Sequence, residues 1–178
     1  GLRASSSIAF TLHHEQSVTI DKLTAIYTSR DVITPLETAE AKLDEALTIG
    51  YDALYDAHRL EWEKYWETSN IEIVGDEDIQ RAIRFTTYHV LIPTPRHDER
   101  VSVGAKTLSG LGYKGHVFWD TELFLVPVLI LSHPKLARNL LMYRYHNLAG
   151  ARHKATANGF DGAMYPWEST DTGEETTP

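Results

Sequence analysis

The sequence predicts a mainly α-helical chain preceded by a short β segment. Three observations predict it. Apolar residues recur at helical spacing almost everywhere after residue 34, β-branched residues in period-two alternation are confined to residues 8–33, and two polar, glycine-containing loops at 93–117 and 158–178 interrupt the helical pattern.

In the first segment Ile8, Phe10 and Leu12 alternate, as do Val18 and Ile20, then Leu23, Ala25 and Tyr27, which reads as two or three strands. So few strands cannot close a sandwich and a lone hairpin is marginal in water, so this stretch is expected to be the end of a larger β domain. From Thr34-Pro35 the pattern changes. A threonine cap and a proline at the first helical position precede Leu36, Ala39, Leu43, Ala46 and Leu47 on one helical face, and Gly50 ends that helix. A second stripe follows through Tyr51, Leu54, Tyr55, His58, Trp62, Tyr65 and Trp66, and its aromatic weight is read as packing surface rather than as a ligand platform. Ile71–Val74 has the composition of a short strand. Asp76 is placed to cap a helix through Ile79, Ala82, Ile83, Thr86 and Val90, which Pro93 stops. Beyond the first loop, helices are expected over about 119–131 and 134–157, each apolar on more than one face.

Composition removes several classes of function. With 17 Lys and Arg against 25 Asp and Glu, the formal charge is −8, the wrong sign for a nucleic-acid partner. The absence of cysteine excludes disulfides, zinc–thiolate sites and a cysteine nucleophile within these residues, and is compatible with a cytoplasmic location. The longest apolar run, Leu123–Leu131, is about half the length a membrane-spanning helix needs and contains Pro127, so no membrane partner is expected. The nine histidines show no compact ligand spacing and no HExxH, so no metal is expected. Arg96, His97 and Asp98 read as a solvated turn with an Asp cap.

The candidate site lies in the two loops. One carries Gly115-His116-Val117-Phe118-Trp119-Asp120-Thr121-Glu122, the other Tyr165-Pro166-Trp167-Glu168-Ser169-Thr170-Asp171-Thr172-Gly173-Glu174-Glu175. A pyranose presents a face of C–H groups and a rim of hydroxyls, so its pocket wants a flat aromatic surface beside hydrogen-bond-accepting carboxylates. Trp119-Asp120 and Trp167-Glu168 each supply both. The competing reading of each pair is a buried tryptophan beside a helix-capping acid, and composition alone leaves both readings open.

The runs GYKGHVFWDTELF, NLLMYRYHNLAGAR and NGFDGAMYPWESTDTGEE, with TPRHDERVSVGAKTLSG upstream, resemble family 65 glycoside hydrolases, which include maltose, kojibiose, nigerose and trehalose phosphorylases. The resemblance implies that residues 1–34 end an N-terminal β-sandwich, that 35–75 form a helical linker, and that 76–178 are the first part of an (α/α)6-barrel catalytic domain, with the remainder of the polypeptide as its structural partner. It implies an inverting reaction in which an α-glucoside disaccharide and inorganic phosphate give β-glucose 1-phosphate and a sugar. Phosphate is then a co-substrate and no organic cofactor is needed. The general-acid glutamate is expected downstream, so no catalytic residue is assigned in this chain, which by itself is expected to be inactive. The resemblance points to Trp119 and Asp120 as the wall for the non-reducing glucose and to Trp167 and Glu168 at the same mouth. Glu122 is either a partner behind that wall or purely structural. A homodimer is expected of the full-length enzyme. Two further readings stay open at this point: an inverting α-glucoside hydrolase of trehalase or kojibiose hydrolase type, and a non-catalytic carbohydrate-binding or assembly module.

Overall fold

The computed structural model describes residues 5–107, 110 and 112–177, and these are mainly helical. The chain divides into two compact units, Gly1–Arg59 and Leu60–Pro178.

In the first unit, α1 spans Pro35–Ile49, with Pro35 opening the helix. The expected threonine cap works differently from the sequence reading. The Thr34 side chain makes no capping bond, and instead its carbonyl accepts from both the Thr38 amide (3.1 Å) and the Thr38 hydroxyl (2.9 Å). Gly50, at φ +83°, ends α1 and donates its amide to the Ala46 carbonyl, and α2 (Tyr51–Ser69) starts at the next residue. The strands expected within residues 8–33 are not formed. Among the described residues of this span there is no strand, only turns such as Thr28–Asp31, where the Asp31 carboxylate accepts from the Thr28 amide and hydroxyl at 2.7 Å each. Ile8, Phe10, Leu12, Val18 and Ile20 are all exposed. The alternation is real, but a strand exists only when its amides and carbonyls are paired across a ladder and one face is covered, and the described residues supply neither.

The second unit holds α3 (Glu77–Leu91), α4 (Val126–Ser132), α5 (Pro134–His146) and α6 (Leu148–Ala157). Asp76 caps α3 as expected, its carboxylate accepting from the Ile79 amide at 2.9 Å. Ile71–Val74 is not a strand. The Gln80 side chain pairs with this stretch as a neighbouring strand would, accepting from the Ile73 amide (2.7 Å) and donating to the Ile71 carbonyl (2.9 Å). The helix expected over 134–157 is two helices, broken at Asn147. The break coincides with the approach of the second loop: a Cβ on Gly150 would lie 2.9 Å from the Gly173 carbonyl oxygen, and a Cβ on Gly173 would lie 2.7 Å from the Asn147 Cβ.

Leu91, Val103, Val126, Leu129, Leu136, Ala137 and Leu140 form the core of this unit, and Trp62, Tyr65, Val90 and Leu125 pack against it. The aromatic residues at the end of α2 are therefore packing surface, with Trp62 lying 4.9 Å from Tyr88 and 5.7 Å from Tyr65 between ring centroids. Arg96 is not a solvated turn residue. Its guanidinium lies 4.7 Å above the Tyr65 ring and donates to the Tyr65 hydroxyl at 2.6 Å.

Candidate functional site

Two short strands in the second unit bring the candidate loops together. β1 (Val117–Phe118) pairs antiparallel with β2 (Glu168–Ser169), setting Val117 opposite Ser169 and Phe118 opposite Glu168. Nothing in the sequence signals this pairing, because two-residue strands carry no measurable periodicity. A left-handed turn leads into β1, with Tyr113, Lys114 and Gly115 at φ 59°, 50° and 81°. Non-glycine residues are seldom found there, and the turn is closed by the His116 amide donating to the Tyr113 carbonyl at 2.8 Å.

The pairing places the predicted site residues as follows. Trp119 leaves β1 directly and meets Trp167 edge to face, ring centroids 5.5 Å apart. Its indole N–H donates to the Pro166 carbonyl at 2.8 Å, so one tryptophan is fixed by the backbone that presents the other. Trp119 and Trp167 remain 40% and 49% exposed, in contrast to the buried Phe118 beside them. Asp120 is exposed, makes no capping bond and has no hydrogen-bond partner among the described residues. Glu168 is placed differently. It is buried, and its carboxylate lies 2.7 Å from His116 Nδ1. The structure thus brings Trp119 and Trp167 together at an exposed edge, leaves Asp120 exposed at the position after Trp119, and sets Glu168 inward against His116.

Residues that the sequence reading did not single out lie beneath this edge. Arg144, on α5, is 8% exposed. It donates to both carboxylate oxygens of Glu122, from Nε at 2.9 Å and from Nη2 at 2.8 Å. It also donates to the Phe118 carbonyl (3.0 Å) and the Ser169 hydroxyl (3.2 Å). The Tyr143 hydroxyl lies 3.0 Å from Ser169 Oγ and donates to the Thr170 carbonyl, and burial pushes its pKa above the ordinary tyrosine value. Ser169 Oγ in turn donates to the Val117 carbonyl at 3.2 Å. The only available signal was the spacing of Tyr143-Arg144 within an apolar helix, where an arginine facing the core needs a carboxylate partner.

Glu175 holds the second loop from its far end. Its carboxylate accepts from the backbone amides of Trp167 (3.2 Å) and Glu168 (3.3 Å), from the Thr177 amide and hydroxyl, and from Lys154. Burial acts to raise its pKa, but the bonds from Lys154, Thr177 and the Glu168 amide outweigh it and hold the group at about 2. Beside Trp119 opens a cleft of about 630 Å³ whose walls include Leu123, Phe160, Met164 and Tyr165, with Glu122, Arg144 and Asp161 as its charged members. Its volume suits a small ligand rather than a macromolecule.

The chain is 50% identical over 178 residues to a kojibiose phosphorylase of Halothermothrix orenii, an overlap of 95% of this chain and 23% of that protein. It is 42% identical over 154 residues to a kojibiose hydrolase of Flavobacterium johnsoniae, covering 86% of this chain and 22% of that protein. A solved structure described as a putative kojibiose phosphorylase from human microbiome superposes with a TM-score of 0.72 at 30% identity, over 79% of this chain and 20% of the other. The chain therefore spans a quarter or less of the length of the curated relatives it matches. Residues 2–65 match the glycosyl hydrolase family 65 N-terminal domain and residues 84–178 match the family's central catalytic domain. Since that second match takes in more than half of the residues, both candidate loops among them, the chain belongs to glycosyl hydrolase family 65.

Proposed function

We propose that this chain is part of an inverting disaccharide phosphorylase and forms one wall of its glucose site. The observation that carries the reading is the pairing of β1 with β2, which sets two exposed tryptophans edge to face, with Asp120, exposed and without a hydrogen-bond partner among the described residues, next to Trp119 in the chain. The indole faces offer a surface for the C–H side of a pyranose, and Asp120 accepts hydrogen bonds from its hydroxyls. Trp167 belongs to the same mouth, with Glu168 set behind it against His116. The similarity to kojibiose phosphorylases favours an α-glucoside disaccharide and inorganic phosphate as substrates, with no organic cofactor.

The chemistry follows that of inverting glycosidases with phosphate in place of water. A protonated glutamate donates to the leaving glycosidic oxygen while phosphate attacks C1 from the opposite face, and phosphate, already anionic, needs no general base. That acid comes from the rest of the polypeptide. The wall described here belongs to the start of an (α/α)6 barrel (76–178), behind a linker (35–75) and residues 1–34, which become the end of a β-sandwich only with partner strands from the rest of the polypeptide. The 178 residues alone therefore turn over no disaccharide.

A second reading, hydrolysis, is favoured by the similarity to a kojibiose hydrolase. Incubating the full-length protein with kojibiose, with and without phosphate, separates the two. Phosphate-dependent formation of β-glucose 1-phosphate supports the phosphorylase, and equal release of glucose in both conditions assigns the hydrolase. The site residue is tested by Asp120→Asn, which keeps the shape and removes the charge. Each unpaired partner costs about 1–3 kcal/mol, so kcat/KM for the disaccharide falls about 5- to 150-fold with the melting temperature unchanged. A wild-type kcat/KM for this variant removes Asp120 from the site.

A further inference from the structure

We infer that Arg144 is a positioning residue for the sugar wall: paired with Glu122, it sets Trp119 against Trp167. The inference rests on the reading of Trp119 as a sugar contact. Three observations carry it.

The first is where its bonds go. The Arg144 guanidinium holds the Phe118 carbonyl, one residue before Trp119, and the Glu122 carboxylate, two residues after Asp120. It thereby brackets Trp119-Asp120 from both sides. Its remaining bond reaches Ser169 on β2, two residues beyond Trp167. One planar group thus fixes the backbone or side chains flanking both tryptophans, which the two-residue ladder alone is too short to do.

The second is the backbone between those anchors. Thr121–Leu125 is a π turn in which the Val126 amide reaches back five residues to the Thr121 carbonyl. Pro127 follows and has no amide to donate, so the ordinary four-residue ladder cannot run through this point. Such turns are rare and gather at functional sites. Glu122 lies within this one, in the fork of Arg144.

The third is energetic. A buried ion pair is seldom a net source of stability, because desolvating both charges offsets their attraction, and an apolar residue of equal volume packs as well. The arginine therefore fits a geometric requirement better than a stability requirement. The fork presents several donors in a fixed plane, whereas a lysine presents a single charged centre and cannot reach Phe118, Glu122 and Ser169 together.

The test uses the full-length protein carrying Arg144→Lys, with Glu122→Gln as a milder variant should Arg144→Lys fail to fold, and Trp119→Ala alongside. Near-ultraviolet circular dichroism reads the packing of the tryptophan pair, and steady-state kinetics gives KM for kojibiose and for inorganic phosphate separately. In a folded variant the tryptophan signal changes and KM for kojibiose rises about tenfold or more, while KM for phosphate stays within about twofold, as expected when a contact surface shifts by a fraction of an ångström. An unchanged tryptophan signal with an unchanged KM for kojibiose overturns the proposal. So does a loss of activity that only tracks the loss of folded protein. If Trp119→Ala leaves KM for kojibiose unaltered, the sugar-wall reading fails instead, and Arg144 is then judged on the tryptophan signal alone.

Discussion

Replacing Glu175 with glutamine should loosen the loop that presents Trp167 and Glu168, and should do so only above the acid range. The wild-type carboxylate accepts from the Trp167 and Glu168 amides, from Thr177 and from Lys154, and its pKa stands at about 2 against an ordinary value of 4.5. A depression of that size corresponds to at most ~3 kcal/mol in favour of the folded loop at neutral pH. With 30% of its side chain exposed, solvent screening brings the contribution to about 1–2 kcal/mol. Because the folded pKa is depressed, this stabilisation is fully present above about 4.5 and is lost as the pH falls towards about 2. The assay is amide hydrogen exchange of Trp167 and Glu168 measured by NMR on wild type and Glu175→Gln at matched pH. At pH 7 both amides should exchange about 5- to 30-fold faster in the variant. The difference should shrink below about pH 4.5 and vanish near pH 2. Equal exchange at pH 7, or a difference undiminished near pH 2, refutes the assignment of the loop's order to this carboxylate.

Two further predictions concern the framework. Gly173→Ala should destabilise by about 1–3 kcal/mol, because residue 173 has φ +75° and the added Cβ would meet Asn147 at 2.7 Å; a melting temperature equal to wild type would contradict it. Leu129→Ala, at a fully buried position between α4 and the core, should cost about 2–5 kcal/mol in urea unfolding, with the spread set by how far the cavity collapses. A cost under about 1 kcal/mol would show that residue 129 is not central to that core.

The legibility of the molecule varied with the range of the interaction involved. The Asp76 cap, the Pro35 start and the Gly50 stop were readable because each is a contact within four residues of chain. The apolar periods of α1 to α5 were readable for the same reason, since a helix completes its hydrogen bonds within its own segment. The alternation of residues 8–33 was equally visible but did not yield strands, because a ladder depends on partners that period-two spacing cannot name. Asn147 was hidden inside an apolar pattern that ran on past it, and the break there coincides with the close approach of the backbone of residues 172–173 to Gly150 of α6.

Within the site the same division holds. The sequence by itself determined which residue types were present: two tryptophans, each followed by an acid, in motifs long enough to identify the family. It could not say which acid faces outward. The tertiary structure decided that, leaving Asp120 exposed, turning Glu168 inward to His116 and committing Glu122 to Arg144. Each of those outcomes depends on a partner between 22 and 52 residues away, or on the lack of one. The physical reason is that a carboxylate's role is set by which donors surround it in space, and donors brought together by β1, β2 and α5 leave no periodic trace in the sequence.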